Sequence, residues 1–271
     1  MPRLNYVRRG AGEPLALVHP LGGSIVVWEP VIDRLARERD VIAMDMPGFG
    51  RSPAADDGFV PTAANLAREI GRLLAELEIE RPHAAGISLG GWVALEMAKA
   101  GNAASVCAIS PAGLWRSPLG PADRDRQAIG RRLRPALAAL MASRHVRRAL
   151  LRTTLANPDA LSREQASQLV LGYIDSPGYA NSNAEMLAGA FEHAELVDVP
   201  VTIAWGELDR TVGRPSRRRR PPGARYVERP GWGHVPTWDD PDGVAELILE
   251  TSAPGAVAMG GDGLEPPASS V

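Results

Sequence analysis

Gly86-Ile87-Ser88-Leu89-Gly90-Gly91 decides how the chain is read. Ahead of it, Arg81 to Ile87 is short, mostly apolar and compatible with a β-strand. Behind it, Trp92-Val93-Ala94-Leu95-Glu96-Met97-Ala98 has the composition of a helix. A serine between a strand and a helix, with glycines two residues to either side, has the layout of a nucleophile elbow. The reason is steric. So tight a turn strains the serine backbone and leaves its neighbours no room for side chains. The strain lifts the hydroxyl clear of the sheet, beside the positive end of the helix. The bland alternative is a glycine-flanked loop serine that caps the helix. Taken alone the hexapeptide leaves both open, and its surroundings must choose.

Upstream, Leu4–Arg8 and Leu15–His19 are short β-like runs around the turn Gly10-Ala11-Gly12-Glu13-Pro14, and the first reads as part of an edge hairpin. Leu15-Ala16-Leu17-Val18 is continuously apolar, as in a strand covered on both faces. It runs into the loop His19-Pro20-Leu21-Gly22-Gly23-Ser24. Trp28 to Arg37 then shows helical spacing, followed by the strand Val41–Asp45 and the loop Met46-Pro47-Gly48-Phe49-Gly50-Arg51-Ser52. A helix over Thr62–Leu77 leads to the elbow, and Ser105–Ser110 is a further strand. Strands alternating with helices imply an α/β fold with a mostly parallel, doubly wound sheet. Ligands bind such sheets beyond the carboxyl ends of the strands. The loops at His19, Asp45 and Ser88 all lie there.

Between Ala112 and Val199 the alternation stops. Helical segments are expected around Arg124–Leu155, Ser162–Tyr173 and Asn183–Glu195, forming an insertion over the strand ends. Arginine is dense across the first of these, and with balancing acids and helical spacing it reads as solvated helix faces rather than a nucleic-acid surface. Val201–Trp205 and Ala224–Val227 resume the sheet, and a last helix runs from near Asp242 to about Glu250. The expected division is a core of residues 1–111 and 200–251 and a helical cap of 112–199. Residues 252–271, rich in Gly, Pro, Ala and Ser, read as a disordered tail.

With 271 residues the chain can bury a sizeable core, and its net charge of −2 gives no reason to expect nucleic acid or an anionic membrane as a partner. Lys99 is the only lysine, so nearly all positive charge is arginine. Cys107 is the only cysteine, which excludes an intrachain disulfide and a cysteine-built zinc site. No metal or organic cofactor is called for. Met1-Pro2-Arg3-Leu4-Asn5 has no apolar signal core and no stretch has transmembrane length, so a cytoplasmic enzyme is the expectation.

A serine hydroxyl needs a base, a group that orients the base, and donors for a developing oxyanion. Of the five histidines, His83 begins the elbow strand at its far end, His145 and His193 lie in the insertion, and His19 heads a loop. His234 sits in Pro230-Gly231-Trp232-Gly233-His234-Val235-Pro236, between the last strand and the last helix, and is the candidate base. Asp209 leaves the strand Val201–Trp205 on a short loop and is the candidate orienting acid, with a helix-capping role at Thr211 as its alternative. Glu207 comes too early and is expected to face solvent. The elbow assigns one oxyanion donor to Leu89 N–H and the His19 loop supplies a second, Leu21 N–H.

The order Ser88, Asp209, His234, together with the loops at His19–Ser24 and Asp45–Ser52 and the elbow, resembles the α/β-hydrolase superfamily, in its group of small, soluble, cap-bearing serine hydrolases. The resemblance covers residues 4–250. It implies a sheet of about eight strands with a helical cap after the sixth, and a Ser-His-Asp triad acting through an acyl-enzyme on a carboxylic ester or related small acyl compound. One departure is Pro20, where many relatives carry glycine; proline lacks an N–H, but the assigned donor is on Leu21. Haloalkane dehalogenases and epoxide hydrolases of the superfamily carry aspartate where this chain has Ser88, which argues against their chemistry.

Three rivals share the elbow. A carbon–carbon bond hydrolase of ring-cleavage products would want cationic groups such as Arg116 or Arg124. A cofactor-free perhydrolase or haloperoxidase-like enzyme also fits, and so does a ligand-binding receptor with the hydrolase fold. Leu114, Trp115, Tyr173, Tyr179 and Met186 could wall an acyl pocket, with ordinary packing as the alternative for each. The substrate and the oligomeric state are not legible.

Overall fold

The computed structural model describes residues 3–115 and 126–253. Its strands are β1 (Tyr6–Arg9), β2 (Pro14–Val18), β3 (Asp40–Met44), β4 (His83–Ile87), β5 (Ser105–Ile109), β6 (Val201–Gly206) and β7 (Arg225–Arg229). They form one seven-stranded sheet in the order β1-β3-β2-β4-β5-β6-β7. Every pairing is parallel except that of β1 with β3. Three helices intervene before β5: α1 (Glu29–Leu35), α2 (Ala63–Glu76) and α3 (Leu89–Lys99). Between β5 and β6 lie α4 (Arg126–Leu140), α5 (Arg144–Leu151), α6 (Arg163–Asp175) and α7 (Tyr179–Ala188), and α8 (Pro241–Thr251) closes the fold.

The apolar strands build two cores because successive side chains point to opposite faces. Ala16 and Val18 of β2, with Val106 and Ala108 of β5, pack under α2 and α3 through Leu66, Ile70 and Leu95. Leu15 and Leu17, with Cys107 and Ile109, pack on the other face against Trp28, Leu35, Leu247 and Ile248 of the α1 and α8 layer. α2 is a surface helix: Thr62 caps it by accepting from Asn65 N–H at 3.1 Å, and Leu66, Ile70, Leu73 and Leu74 make its inner stripe. α3 is buried nearly all round, which is why its sequence lacks a polar face. The central position of β4 and α3 puts Ser88 mid-sheet.

Several expectations need correcting. The first strand does not form a hairpin with β2; it crosses to the outer edge of β3, where Tyr6 faces Met44. β2 has both edges occupied by parallel neighbours, so no edge is left for a hairpin partner. Among the described residues the sheet has seven strands rather than eight, and the cap follows the fifth strand rather than the sixth. The helical stretch expected around Arg124–Leu155 holds two helices, α4 and α5, parted at Ala142-Ser143. The last cap helix starts at Tyr179, after Pro177-Gly178, and stops at Gly189. Ser252 ends α8 and accepts from Arg39 Nη2 at 2.8 Å, so the packed chain reaches one residue into the expected tail. Arg116, Arg124 and residues 254–271 lie outside the described residues.

Three exposed cap arginines pair with acidic side chains. Arg134 meets Asp175 at 2.9 Å, while Arg144 and Arg148 share Asp159. No helix among the described residues is long and apolar enough to cross a membrane.

Candidate active site

Ser88 joins β4 to α3 with φ 56° and ψ −119°, a strained backbone for a residue with a Cβ. Such strain costs ~1–3 kcal/mol. Ser88 N–H donates to Ile109 O at 2.9 Å, and its carbonyl accepts from Trp92 at 3.1 Å and Ala112 at 3.0 Å. At ~1 kcal/mol net each, these bonds offset the cost. The flanking glycines are obligatory. A Cβ on Gly86 would stand 2.1 Å from Gly90 O, and one on Gly90 would stand 2.2 Å from Val18 O. The Ser88 side chain does not cap α3. The N-capping alternative therefore fails, and the hydroxyl is available for other work.

His234 is the histidine that meets a buried acid beyond the strand ends. Its Nδ1 lies 2.8 Å from Asp209 Oδ2, with both side chains almost wholly buried. No helix begins at Thr211 for Asp209 to cap; instead Oδ1 accepts from Thr211 N at 2.8 Å and Val212 N at 3.2 Å in a turn. One oxygen shapes the turn and the other holds the imidazole. Burial pushes the Asp209 carboxyl up, but the His234 bond and charge, the Thr211 N–H and the Ser110 hydroxyl outweigh it and hold the group below its usual value. An ionised Asp209 can only accept, so Nδ1 carries the proton and Nε2 keeps its lone pair when the ring is neutral. Glu207 is exposed, as expected. No hydrogen bond joins Ser88 Oγ to His234 among the described residues, and such contacts commonly tighten only with substrate bound.

The remaining histidines have structural partners or lie on the surface. His19 is fully buried, donating from Nδ1 to Pro20 O at 2.7 Å and accepting at Nε2 from Met46 N at 3.0 Å. Burial lowers its pKa against the pull of Asp45, so it stays neutral and ties the Leu21 loop to the Met46 loop. Asp45 organises that second loop by accepting from Ile25 N at 2.8 Å and Arg51 N at 2.9 Å. His83 bonds Ser105 Oγ at 2.9 Å at the opposite end of the sheet. His145 and His193 are exposed cap residues.

The Leu21 loop is seated beside the elbow, because Gly90 of α3 packs against the Val18 and His19 carbonyls. Leu89 is the first residue of α3, so its N–H has no acceptor within the helix. The cap touches this loop as well. Tyr173 and Tyr179 meet edge to face at 4.7 Å, and a Cβ on Gly22 would lie 2.9 Å from Tyr173 and 3.3 Å from Tyr179. Leu114 and Trp115 instead pack into the core, Trp115 edge-on to Trp92 at 5.9 Å and donating to Gly189 O at 2.9 Å. Among the described residues, no three His, Cys, Asp or Glu side chains converge as a metal-binding group.

The model of the alpha/beta hydrolase family matches residues 15–247, which takes in the sheet apart from β1, the elbow and both loops carrying Asp209 and His234. The chain belongs to the alpha/beta hydrolase family. It is a hydrolase of that family, and its relatives differ in what they cleave. It is 34% identical over 205 residues to epoxide hydrolase EphH of Mycobacterium tuberculosis, covering 69% of this chain and 93% of that one. A shorter match, 37% over 99 residues and 35% of each chain, is to 2-hydroxymuconate semialdehyde hydrolase of Pseudomonas sp. strain CF600. Among solved structures, the enol-lactonase of Burkholderia xenovorans superposes with a TM-score of 0.68 at 21% identity, covering 92% of this chain and 95% of that one.

Two features of the site escaped the sequence reading. Ser110, fully buried with φ 43°, places its hydroxyl near Asp209, although it closes no hydrogen bond of good geometry. Asp239 accepts from Gly233 N at 2.9 Å, next to His234, and from Ala156 and Asn157 of the cap. In sequence, Asp239-Asp240-Pro241 shows only the mouth of a helix, and Asp240 takes that capping role by accepting from Gly243 N at 2.9 Å.

Proposed function

We propose that the protein is a serine hydrolase that cleaves a carboxylic ester or related small acyl compound through a Ser88-His234-Asp209 triad. The observation that carries this reading is the 2.8 Å contact of His234 Nδ1 with Asp209, at the strand ends where the Ser88 elbow also stands. Ser88 Oγ attacks the acyl carbonyl while His234 Nε2 takes its proton. The Leu21 and Leu89 N–H groups receive the oxyanion. His234 then gives the proton to the leaving group, and the acyl group stays on Ser88. A water, deprotonated by the same Nε2, releases the acid and restores the enzyme. Asp209, held ionised, stabilises the imidazolium throughout.

Similarity to an enzyme named epoxide hydrolase raises a specific chemical question. A carboxylate that opens an epoxide forms an ester, which water can hydrolyse. A serine hydroxyl doing the same forms an ether, which the site could not release. Ser88 therefore favours acyl chemistry. The match to 2-hydroxymuconate semialdehyde hydrolase favours one second reading, carbon–carbon bond hydrolysis on the same triad.

A fluorophosphonate probe tests the nucleophile: wild type is labelled and Ser88→Ala is not. Equal labelling of the two rejects the assignment. p-Nitrophenyl esters of increasing chain length, assayed beside a ring-cleavage dienoate, separate the two reactions.

A further inference from the structure

The loops that carry Asp209 and His234 are not held by the sheet alone. Cap residues Thr153–Asn157, directly after α5, bond to both of them. Thr211 Oγ1, two residues beyond Asp209, donates to Thr153 O at 2.8 Å. Val235 N, the residue after His234, donates to Thr154 O at 2.9 Å. Gly233 N, the residue before it, donates to Asp239 Oδ2 at 2.9 Å. Both Asp239 oxygens reach back to the cap, at 3.1 Å from Ala156 N, and Oδ1 lies 3.0 Å from Asn157 N. The chain is thus pinned on each side of the histidine, and the acid loop is pinned to the same five residues. The approach is close. A Cβ on Gly233 would stand 2.5 Å from Ala156 N, so only glycine lets the two segments meet.

We infer that Thr153–Asn157 is a clasp that sets the distance between Asp209 and His234, and that Asp239 is its positioning residue. The inference rests on the triad reading given above. Three backbone N–H groups from two separate parts of the chain converge on one carboxylate. Hydrogen bonds to an ionised acceptor are about twice as strong as neutral ones, so the charge of Asp239 is what draws the base loop and the cap together. An amide at this position could accept on one side only, and its NH2 would face N–H groups on the other. The Asp209–His234 bond is made between two short loops. A shift of about 1 Å in either can cost on the order of a hundredfold in rate. The cap is accordingly a part of the catalytic frame as well as a cover for the substrate.

Asp239→Asn, Asp239→Glu and Thr211→Val test this in the full-length protein. The readouts are kcat and KM with p-nitrophenyl acetate, circular dichroism for folding, and the downfield proton resonance of the Asp209–His234 hydrogen bond. Asp239→Asn should keep its circular dichroism, lose at least about tenfold in kcat with little change in KM, and broaden or lose the resonance. Asp239→Glu, which keeps the charge, should recover part of both. A folded Asp239→Asn with wild-type kcat and an unchanged resonance overturns the inference. If Asp239→Asn does not fold, Thr211→Val decides: a reduced kcat with a shifted resonance supports the clasp, and wild-type values for both reject it. Failure of the triad reading shows itself separately, as fluorophosphonate labelling of Ser88→Ala, and the resonance then still judges the clasp.

Discussion

Ser88 holds its strained backbone because atoms on every side leave it no other choice. The same tightness makes the glycines beside it intolerant. Gly86→Ala or Gly90→Ala places a methyl group just over 2 Å from a backbone oxygen. We expect each to destabilise the protein by at least about 3 kcal/mol, or to yield insoluble chain, as read by urea unfolding. Asp209 supports a different prediction. Asp209→Asn removes the ionised acceptor that fixes the Nδ1–H tautomer, so kcat should fall by about 10³–10⁴-fold while the fold survives. A loss below tenfold would reduce Asp209 to its turn-capping contacts with Thr211 and Val212. His19 belongs to this scale as well. Its folded pKa lies below the ordinary imidazole value of 6.5, so the unfolded chain binds the extra proton first. Stability is therefore full above that value and declines as pH falls through it. His83, also lowered by burial, adds to the same trend. Asp209, whose pKa is depressed from 3.8, adds a further loss only below that value. Urea midpoints at pH 8 and pH 5 should show wild type losing stability on acidification and His19→Gln losing less; equal losses would remove His19 as a cause.

At the scale of elements, the loops at the strand ends are tied to one another rather than left to the sheet. His19 links the Leu21 loop to Met46, Asp45 gathers Ile25 and Arg51, and the cap clasp joins the Asp209 and His234 loops. The cap also presses on the Leu21 loop. Gly22 has φ 74°, and a Cβ there would stand 2.9 Å from the Tyr173 ring. Gly22→Ala should therefore move the Leu21 N–H and lower kcat/KM for p-nitrophenyl esters several-fold, mainly through kcat. An effect confined to KM would place Gly22 in the substrate pocket alone. The cap's surface ion pairs stand in contrast. Arg134 and Asp175 are exposed, and water and salt screen them. Arg134→Ala should leave Tm unchanged, and a clear drop would give that pair a role in holding α4 on α6.

For the molecule as a whole, the arrangement separates what must be rigid from what can vary. The sheet, with apolar side chains on both faces, carries the elbow at its centre. The cap lies between β5 and β6, above the ends of the strands, where chain can be inserted without breaking a strand pairing. Its contacts with Gly22, with the Thr211 loop and with the His234 loop reach both sides of the site.

The sequence by itself determined the alternation of strands and helices and the strand–serine–helix turn at Ser88, and it singled out Asp209 and His234, whose side chains the fold brings within 2.8 Å. These rest on local rules: period-two burial, glycine where a Cβ cannot fit, and polar residues just beyond strand ends. It misplaced β1, because strand pairing depends on which sheet edge is free and not on sequence neighbours. It also offered Asp209 a helix to cap at Thr211, where the chain instead makes a turn that one carboxylate oxygen closes while the other meets His234. Only the tertiary structure brought Asp239 and Thr153–Asn157 into contact with the loops that carry Asp209 and His234. Asp239 and Ala156 are 83 residues apart, and backbone N–H groups, which every residue but proline carries, leave no mark in the amino-acid sequence.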